Sequence, residues 1–275
     1  MPNFIVGARL HDYGKGTPDE LFGKVSADGF AAVQLAYKKC VPTVKSYADV
    51  TDALVAETVA AEKAHHIQVA VLGTYVELAI NDESRLCNVA DFKSQLSVCK
   101  ALGAGCVGTE TTAMSKQPTG TTRTQAQELL CRSLAEILPA AEALGVTVGI
   151  EPVTYHSMNS AAATRHILDT MRSPNLKVIF DMCNLVSAEN VDAQDRIWYD
   201  MGALLGDQIV AVHFKGQAFA PDGSLLHTSL EESRTDYAGA FAMLRQLPQP
   251  ALPVLREEAV PARAASDIAF MKGFF

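Results

Sequence analysis

Four short apolar runs in the second half of the chain each finish on a residue that can bind a cation or move a proton. They are VGIEP at Glu151, VIFDM at Asp181, VAVHF at His213 and VLREE at Glu257 or Glu258. Taken singly, a polar residue that ends an apolar run is as readily a solvated strand terminus as a functional group. Three carboxylates and an imidazole at equivalent places in successive units are harder to explain that way. Carboxylates gathered at one place repel and raise each other's pKa unless a cation neutralises them, so a bound metal is the economical reading. Oxygen-rich ligation with one nitrogen suits Mn2+, Mg2+ or Co2+ better than a structural zinc, which favours cysteine and more histidine. A carboxylate bound through one oxygen keeps the other free to take a proton from a carbon beside a metal-polarised carbonyl. Glu151 and the glutamate of the LREE run would approach that carbon from different sides.

The elements that must hold these residues are legible as a repeat. Apolar, β-branched runs at 3–8, 30–35, 67–72, 105–109, 146–151, 176–181, 208–214 and 252–257 are each followed by a segment of helical periodicity. Near-uniform spacing and strands apolar on both faces predict a single (β/α)8 TIM barrel, one domain over residues 1–275, with an open doubly wound sheet as the alternative. In such a barrel the chemistry sits where strands end. Thr17-Pro18-Asp19-Glu20 predicts a helix start with a capping box, and Gly29, Gly103 and Gly145 predict left-handed helix ends. Gly103, Gly105 and Gly108 match GxGxxG but enter a strand instead of leaving one, so they read as a helix-end turn and not a dinucleotide loop. Pro139 within the helical segment 122–144 predicts a kink or two shorter helices.

Composition excludes several classes. Of 275 residues 48% are hydrophobic, enough to bury a core, and 31 acidic residues against 23 Lys and Arg leave a net charge of -8 that argues against a nucleic-acid partner. No apolar stretch reaches the length of a membrane span, and the start MPNFIVGARL lacks a secretory pattern, so a cytoplasmic protein without a membrane partner is expected. The six cysteines form no CxxC pair and read as reduced thiols, with neither disulfides nor structural zinc. The Phe-rich end DIAFMKGFF reads as packing beneath the barrel or against another subunit of a homo-oligomer.

The segment from Gly149 to Gly216, GIEP…NLKVIFDMCNL…IVAVHFKG, together with PVLREE, resembles the xylose isomerase-like sugar phosphate isomerase/epimerase superfamily. That superfamily also holds ketose 3-epimerases, inosose dehydratases and metal-dependent apurinic endonucleases. The resemblance implies a metal site of Glu151, Asp181, His213 and Glu257, with Mn2+ the expected ion and Glu151 and Glu257 as the proton-transferring pair. It favours Glu257 over Glu258, as does strand alternation. Two positions depart from the epimerase pattern. Asn184 stands three residues after Asp181 where a histidine is common, and the arginine that often follows the strand-seven histidine is missing from HFKGQAF. Asn184 can bind a sugar hydroxyl, and Lys215, two residues beyond His213, shares its inward face and supplies a cation. Glu110 in GTETT reads as a substrate contact or a cap for the next helix, and His156 in EPVTYHSMN as a substrate contact or a solvated loop residue.

The reading that follows is a divalent-metal-dependent isomerase or epimerase acting on a ketose or related polyol-ketone through an enediolate. Its alternatives are a lyase on the same site (an inosose dehydratase or a carbon-glycoside-cleaving enzyme), an apurinic endonuclease, and a non-catalytic sugar-binding subunit. The acidic balance and the shortage of strand-end histidines weigh against the endonuclease.

Overall fold

The computed structural model describes every residue except Asn81, and the backbone alone of Asp82. Eight parallel strands close into a barrel: β1 (Asn3–Arg9), β2 (Ala32–Leu35), β3 (Gln68–Gly73), β4 (Cys106–Glu110), β5 (Val148–Glu151), β6 (Leu176–Asp181), β7 (Ile209–Phe214) and, after the short strands β8 (Gln217–Phe219) and β9 (Leu225–His227), β10 (Ala251–Arg256). Neighbours run in chain order around the ring, and β10 pairs with β1 over Asn3 to Ala8 to complete closure. Each expected strand is found within two residues of its expected limits. The pair β8–β9 is an antiparallel hairpin that was not foreseen, because QAF and LLH are too short to show an alternation.

Register sets the site. Glu110 lies opposite Glu151, and Asp181 opposite His213, so four polar strand ends stand side by side on three neighbouring interfaces. Beneath them the barrel interior is filled by Ala32, Ala70, Val71, Cys106, Ile179, Ala211 and Leu255. Ile179 fills the centre only because its neighbours lack side chains: a Cβ on Gly108 would lie 2.6 Å from Ile179 Cδ1, and one on Gly149 3.0 Å from it.

The helices form the outer layer: α1 (Pro18–Ala27), the short α2 (Tyr37–Cys40), α3 (Asp52–His65), α4 (Asp82–Leu102), α5 (Arg123–Leu144), α6 (Ala161–Met171), α7 (Gln194–Leu205), α8 (Tyr237–Leu244) and α9 (Ala264–Lys272). The capping box at Thr17 and Glu20 is present, and Gly29, Gly103 and Gly145 follow helices with φ of 95°, 67° and 68°. The segment around Pro139 does not divide: α5 continues through it as one helix. The C-terminal aromatics turn back on their own barrel, with Phe275 against Phe4 and Phe241, and Phe274 against Phe214 and Tyr237. This end thus packs on the barrel, the first of the two readings of the segment. All six cysteines are free thiols. Among the described residues, no helix is long and apolar enough to cross a membrane.

Candidate metal centre and substrate cleft

Glu151 ends β5, Asp181 ends β6 and His213 lies one residue before the end of β7, and all three are buried. One ligand atom from each lies within 4.8 Å of the others. Asp181 is oriented by its own chain: Oδ1 accepts the backbone N–H groups of Cys183 (2.7 Å) and Asn184 (2.9 Å), which leaves Oδ2 facing the centre. His213 Nδ1 stands 3.1 Å from Glu151 Oε2 and 3.5 Å from Glu257 Oε1, yet neither ring nitrogen makes an aligned hydrogen bond, and neither does Asp181 Oδ2. Buried polar atoms without an aligned hydrogen bond are rare in folded proteins, and here the His213 ring and Asp181 Oδ2, the latter beside Lys215 Nζ at 2.8 Å, belong to one cluster. Between Glu151, His213 and Glu257 lies a well of about 20 Å³, room for one water-sized or ion-sized occupant. A buried, mixed set of carboxylate oxygens and one imidazole nitrogen fits a divalent metal ion.

Glu257 follows β10 and is the fourth member of the group. Its carboxylate faces His213, Lys215 Nζ at 3.6 Å and Arg9 Nη1 at 3.8 Å, whereas Glu258 turns away to pair with His227 on the hairpin. The backbone explains the division: Glu258 takes a left-handed φ of 57°, so consecutive glutamates point to different surroundings. The carbonyl of Glu257 accepts from Arg256, whose guanidinium is paired at 2.8 Å with Asp267 on α9, both fully enclosed. On the other side Asp12 joins Arg9 at 2.8 Å and accepts the N–H of Ala259 at 2.9 Å. Two arginine–aspartate pairs thus hold the turn that carries Glu257.

The charges act on each other. Burial raises the pKa of Glu151 despite the opposing pull of His213. Burial acts the same way on Glu257, but His213, Lys215 and Arg9 outweigh it and hold the carboxyl well below the usual range. For His213 burial alone would lower the pKa; Glu257 and Glu151 overcome it and carry it up to about 9.

The remaining candidates divide. Lys215 is buried on the same face as His213, with Nζ 2.8 Å from Asp181 Oδ2 and donating to Asn184 Oδ1 at 2.8 Å. Asn184 in turn donates to Glu151 Oε1 at 2.6 Å, so both ends of its carboxamide are engaged within the site. Glu110 caps no helix, because α5 is capped by Thr122; it lies at the mouth, 3.9 Å from His156 Nε2. His156 is 5% exposed, which overturns its reading as a solvated loop residue. Both line an open cleft of about 580 Å³ above the centre, with Lys39, Tyr75, Thr109 and Tyr155.

Arg9, Gln34 and Tyr75 were not foreseen. Gln34 Nε2 donates to the Tyr75 hydroxyl at 2.9 Å while its Oε1 is buried without a partner, and Lys39 Nζ sits 3.8 Å above the Tyr75 ring. Gln34 offered a signal, since it lies one residue before the end of β2 as His213 does on β7, whereas Arg9 meets its partner Glu257 only through closure of the barrel.

A family profile described as Xylose isomerase-like TIM barrel matches residues 22–273. The chain belongs to that family. No match was found among curated protein sequences. Similar solved structures include a D-tagatose 3-epimerase-like protein, 13% identical over 100% of this chain and 97% of that one, with a TM-score of 0.77. The IolI protein with a bound zinc atom is 16% identical over 100% and 96%, with a TM-score of 0.75. For 3-keto-D-glucoside 4-epimerase from E. coli the figures are 17%, 98%, 100% and 0.73. At these identities the likeness establishes the shared xylose isomerase-like fold.

Proposed function

We propose that the protein is a divalent-metal-dependent isomerase or epimerase of a ketose or related polyol-ketone, with Glu151, Asp181, His213 and Glu257 as ligands and Mn2+ as the ion. The observation that carries this reading is the buried convergence of Glu151, Asp181 and His213, each with a ligand atom within 4.8 Å of the others. The names of the epimerases and of the zinc-containing protein that share the fold support it. When bound, the ion would polarise a substrate carbonyl and steady the negative charge that develops on its oxygen.

The chain's own residues supply the proton transfer. Glu151, whose pKa is raised by burial, is the base for the C–H next to the carbonyl, and Asn184 fixes its carboxylate from the far oxygen. Glu257, 3.5 Å from the same His213 Nδ1, enters an epimerisation protonated and gives its own proton to the opposite face, ending as the carboxylate while Glu151 keeps the proton it took; in an isomerisation the proton on Glu151 moves to the neighbouring carbon. The engaged carboxamide of Asn184 assigns it to positioning Glu151 more than to gripping a hydroxyl. Glu110, His156 and the exposed ring of Tyr155 bind the rest of the substrate in the open cleft. That cleft suits a small molecule, and the net charge of -8 disfavours nucleic acid.

Incubation of the purified protein with Mn2+ and a panel of ketoses in D2O tests the proposal. Deuterium is expected at the carbon next to the carbonyl, with product mass otherwise unchanged. Loss of water or of an aglycone would move the assignment to a lyase. Absence of deuterium across a broad panel would overturn it.

A further inference from the structure

We infer that Lys215 is the site's own counter-cation, sharing Asp181 and Glu257 with the divalent ion, so that metal and ammonium compete for the same carboxylates. The inference rests on the metal site proposed above and goes beyond it, since it concerns the protein before the metal arrives. Lys215 Nζ lies 2.8 Å from Asp181 Oδ2 and 3.6 Å from Glu257 Oε2, two of the four assigned ligands, and also donates to Asn184 Oδ1. The side chain is 9% exposed, so this is a desolvated charge and not a surface lysine visiting the site.

Its backbone is fixed as firmly as its ammonium. The Lys215 carbonyl accepts from the Tyr237 hydroxyl at 2.7 Å and from Cys183 Sγ at 2.8 Å, and Tyr237 is stacked on Phe214 with ring centroids 4.4 Å apart. Chain geometry therefore delivers a positive charge into the ligand group whether or not metal is present. Three buried carboxylates would otherwise face one another with only His213 and Arg9 to offset them, and uncompensated buried charge is strongly destabilising. Lys215 keeps Asp181 and Glu257 together at the positions a metal requires. The same charge repels an incoming dication and occupies the space in front of Asp181 Oδ2, the oxygen that no aligned hydrogen bond satisfies. Metal entry must then push the ammonium off Asp181, and Asn184 Oδ1 remains as its partner.

Without Lys215 the metal-free protein is less stable, and the metal meets no competitor, so affinity rises. The test is Mn2+ titration by calorimetry at constant pH, with melting curves in EDTA and in excess Mn2+, on wild type, Lys215→Met and Lys215→Gln. Glutamine is neutral and can still donate to Asp181 and Asn184, so it serves if methionine does not fold. Both variants are expected to bind Mn2+ roughly tenfold tighter than wild type, the low end of ordinary coupling between two competing charges, to melt lower in EDTA, and to gain more in melting temperature from Mn2+. Equal or weaker Mn2+ binding in both variants, with binding intact in wild type, would overturn the competition and leave the metal site standing. Absence of Mn2+ binding in wild type and both variants would overturn the metal site and the competition together. Binding in the variants but not in wild type would support the competition in its strongest form.

Discussion

At the scale of single residues, the two adjacent glutamates after β10 make the sharpest contrast. Glu257 faces His213, Lys215 and Arg9, while Glu258 pairs with His227 outside the centre. Glu257→Gln is expected to lower kcat by about 100-fold or more, and Glu258→Gln to leave it close to wild type, measured by steady-state kinetics on the ketose found by deuterium uptake. Asn184 links Lys215 to Glu151 through both ends of its carboxamide. Asn184→Ala should therefore reduce kcat by about 10- to 100-fold with a smaller change in KM, because it leaves Glu151 unoriented without removing a group from the open cleft. Much of this centre was legible in the sequence, since Glu151, Asp181 and His213 each close an apolar run and alternation puts Lys215 beside His213. Arg9 was not, because its partner Glu257 is adjacent only after β10 closes on β1, a contact between opposite ends of the chain. The engagement of Asn184 within the site was hidden for a related reason: its partners lie 31 and 33 residues away on two other strands or turns.

At the scale of elements, the site rests on a floor whose size is set by glycine. The centre of the barrel accepts Ile179 because β4 and β5 offer Gly108 and Gly149 opposite it. Gly108→Ala is expected to destabilise by about 1–3 kcal/mol through overpacking, read from urea unfolding, and Ile179→Val, which deletes the Cδ1 atom in the way, should recover part of the loss in the double variant. The eight strands were visible because both faces of each are buried and so read as unbroken apolar runs. The β8–β9 hairpin was not visible, and of the two outcomes read for Pro139 the structure rejects the division into two helices. Three-residue strands carry no period, and the tertiary packing of Ile137, Leu138 and Ala141 on either side of Pro139 holds the helix in spite of its missing N–H. The turn that carries Glu257 is held by the enclosed Arg256–Asp267 pair. Asp267→Ala strands a buried guanidinium and should cost about 3–5 kcal/mol of stability.

At the scale of the whole molecule, charge placement makes stability depend on pH. Burial lowers the pKa of His11 and of His156 from 6.5 to about 4. Between those values the unfolded chain takes protons that the folded chain refuses, so both histidines withdraw stability as pH falls through that window. Glu110, at the mouth beside Glu151 and pushed up to about 8 by partial desolvation and that neighbouring carboxylate, acts in the opposite sense, removing stability as pH rises from 4.5 towards 8. Comparison between variants isolates the histidine effect: His156→Gln should lose less stability than wild type between pH 6.5 and 4 in parallel denaturant titrations. An equal loss would mean that the buried imidazole does not resist protonation. The acidic excess of the chain is thus partly an internal matter, with Glu151, Asp181 and Glu257 gathered at one mouth around Lys215, Arg9 and the assigned metal position. The most direct test of that assignment is metal analysis of the purified protein after equilibration with Mn2+ and removal of excess ion, alongside Glu151→Gln and Asp181→Asn. About one divalent ion per chain is expected in wild type, as for a single-metal site, with loss of the ion in both variants. A wild-type chain that retains no metal, or a metal content that ignores both substitutions, would contradict the account.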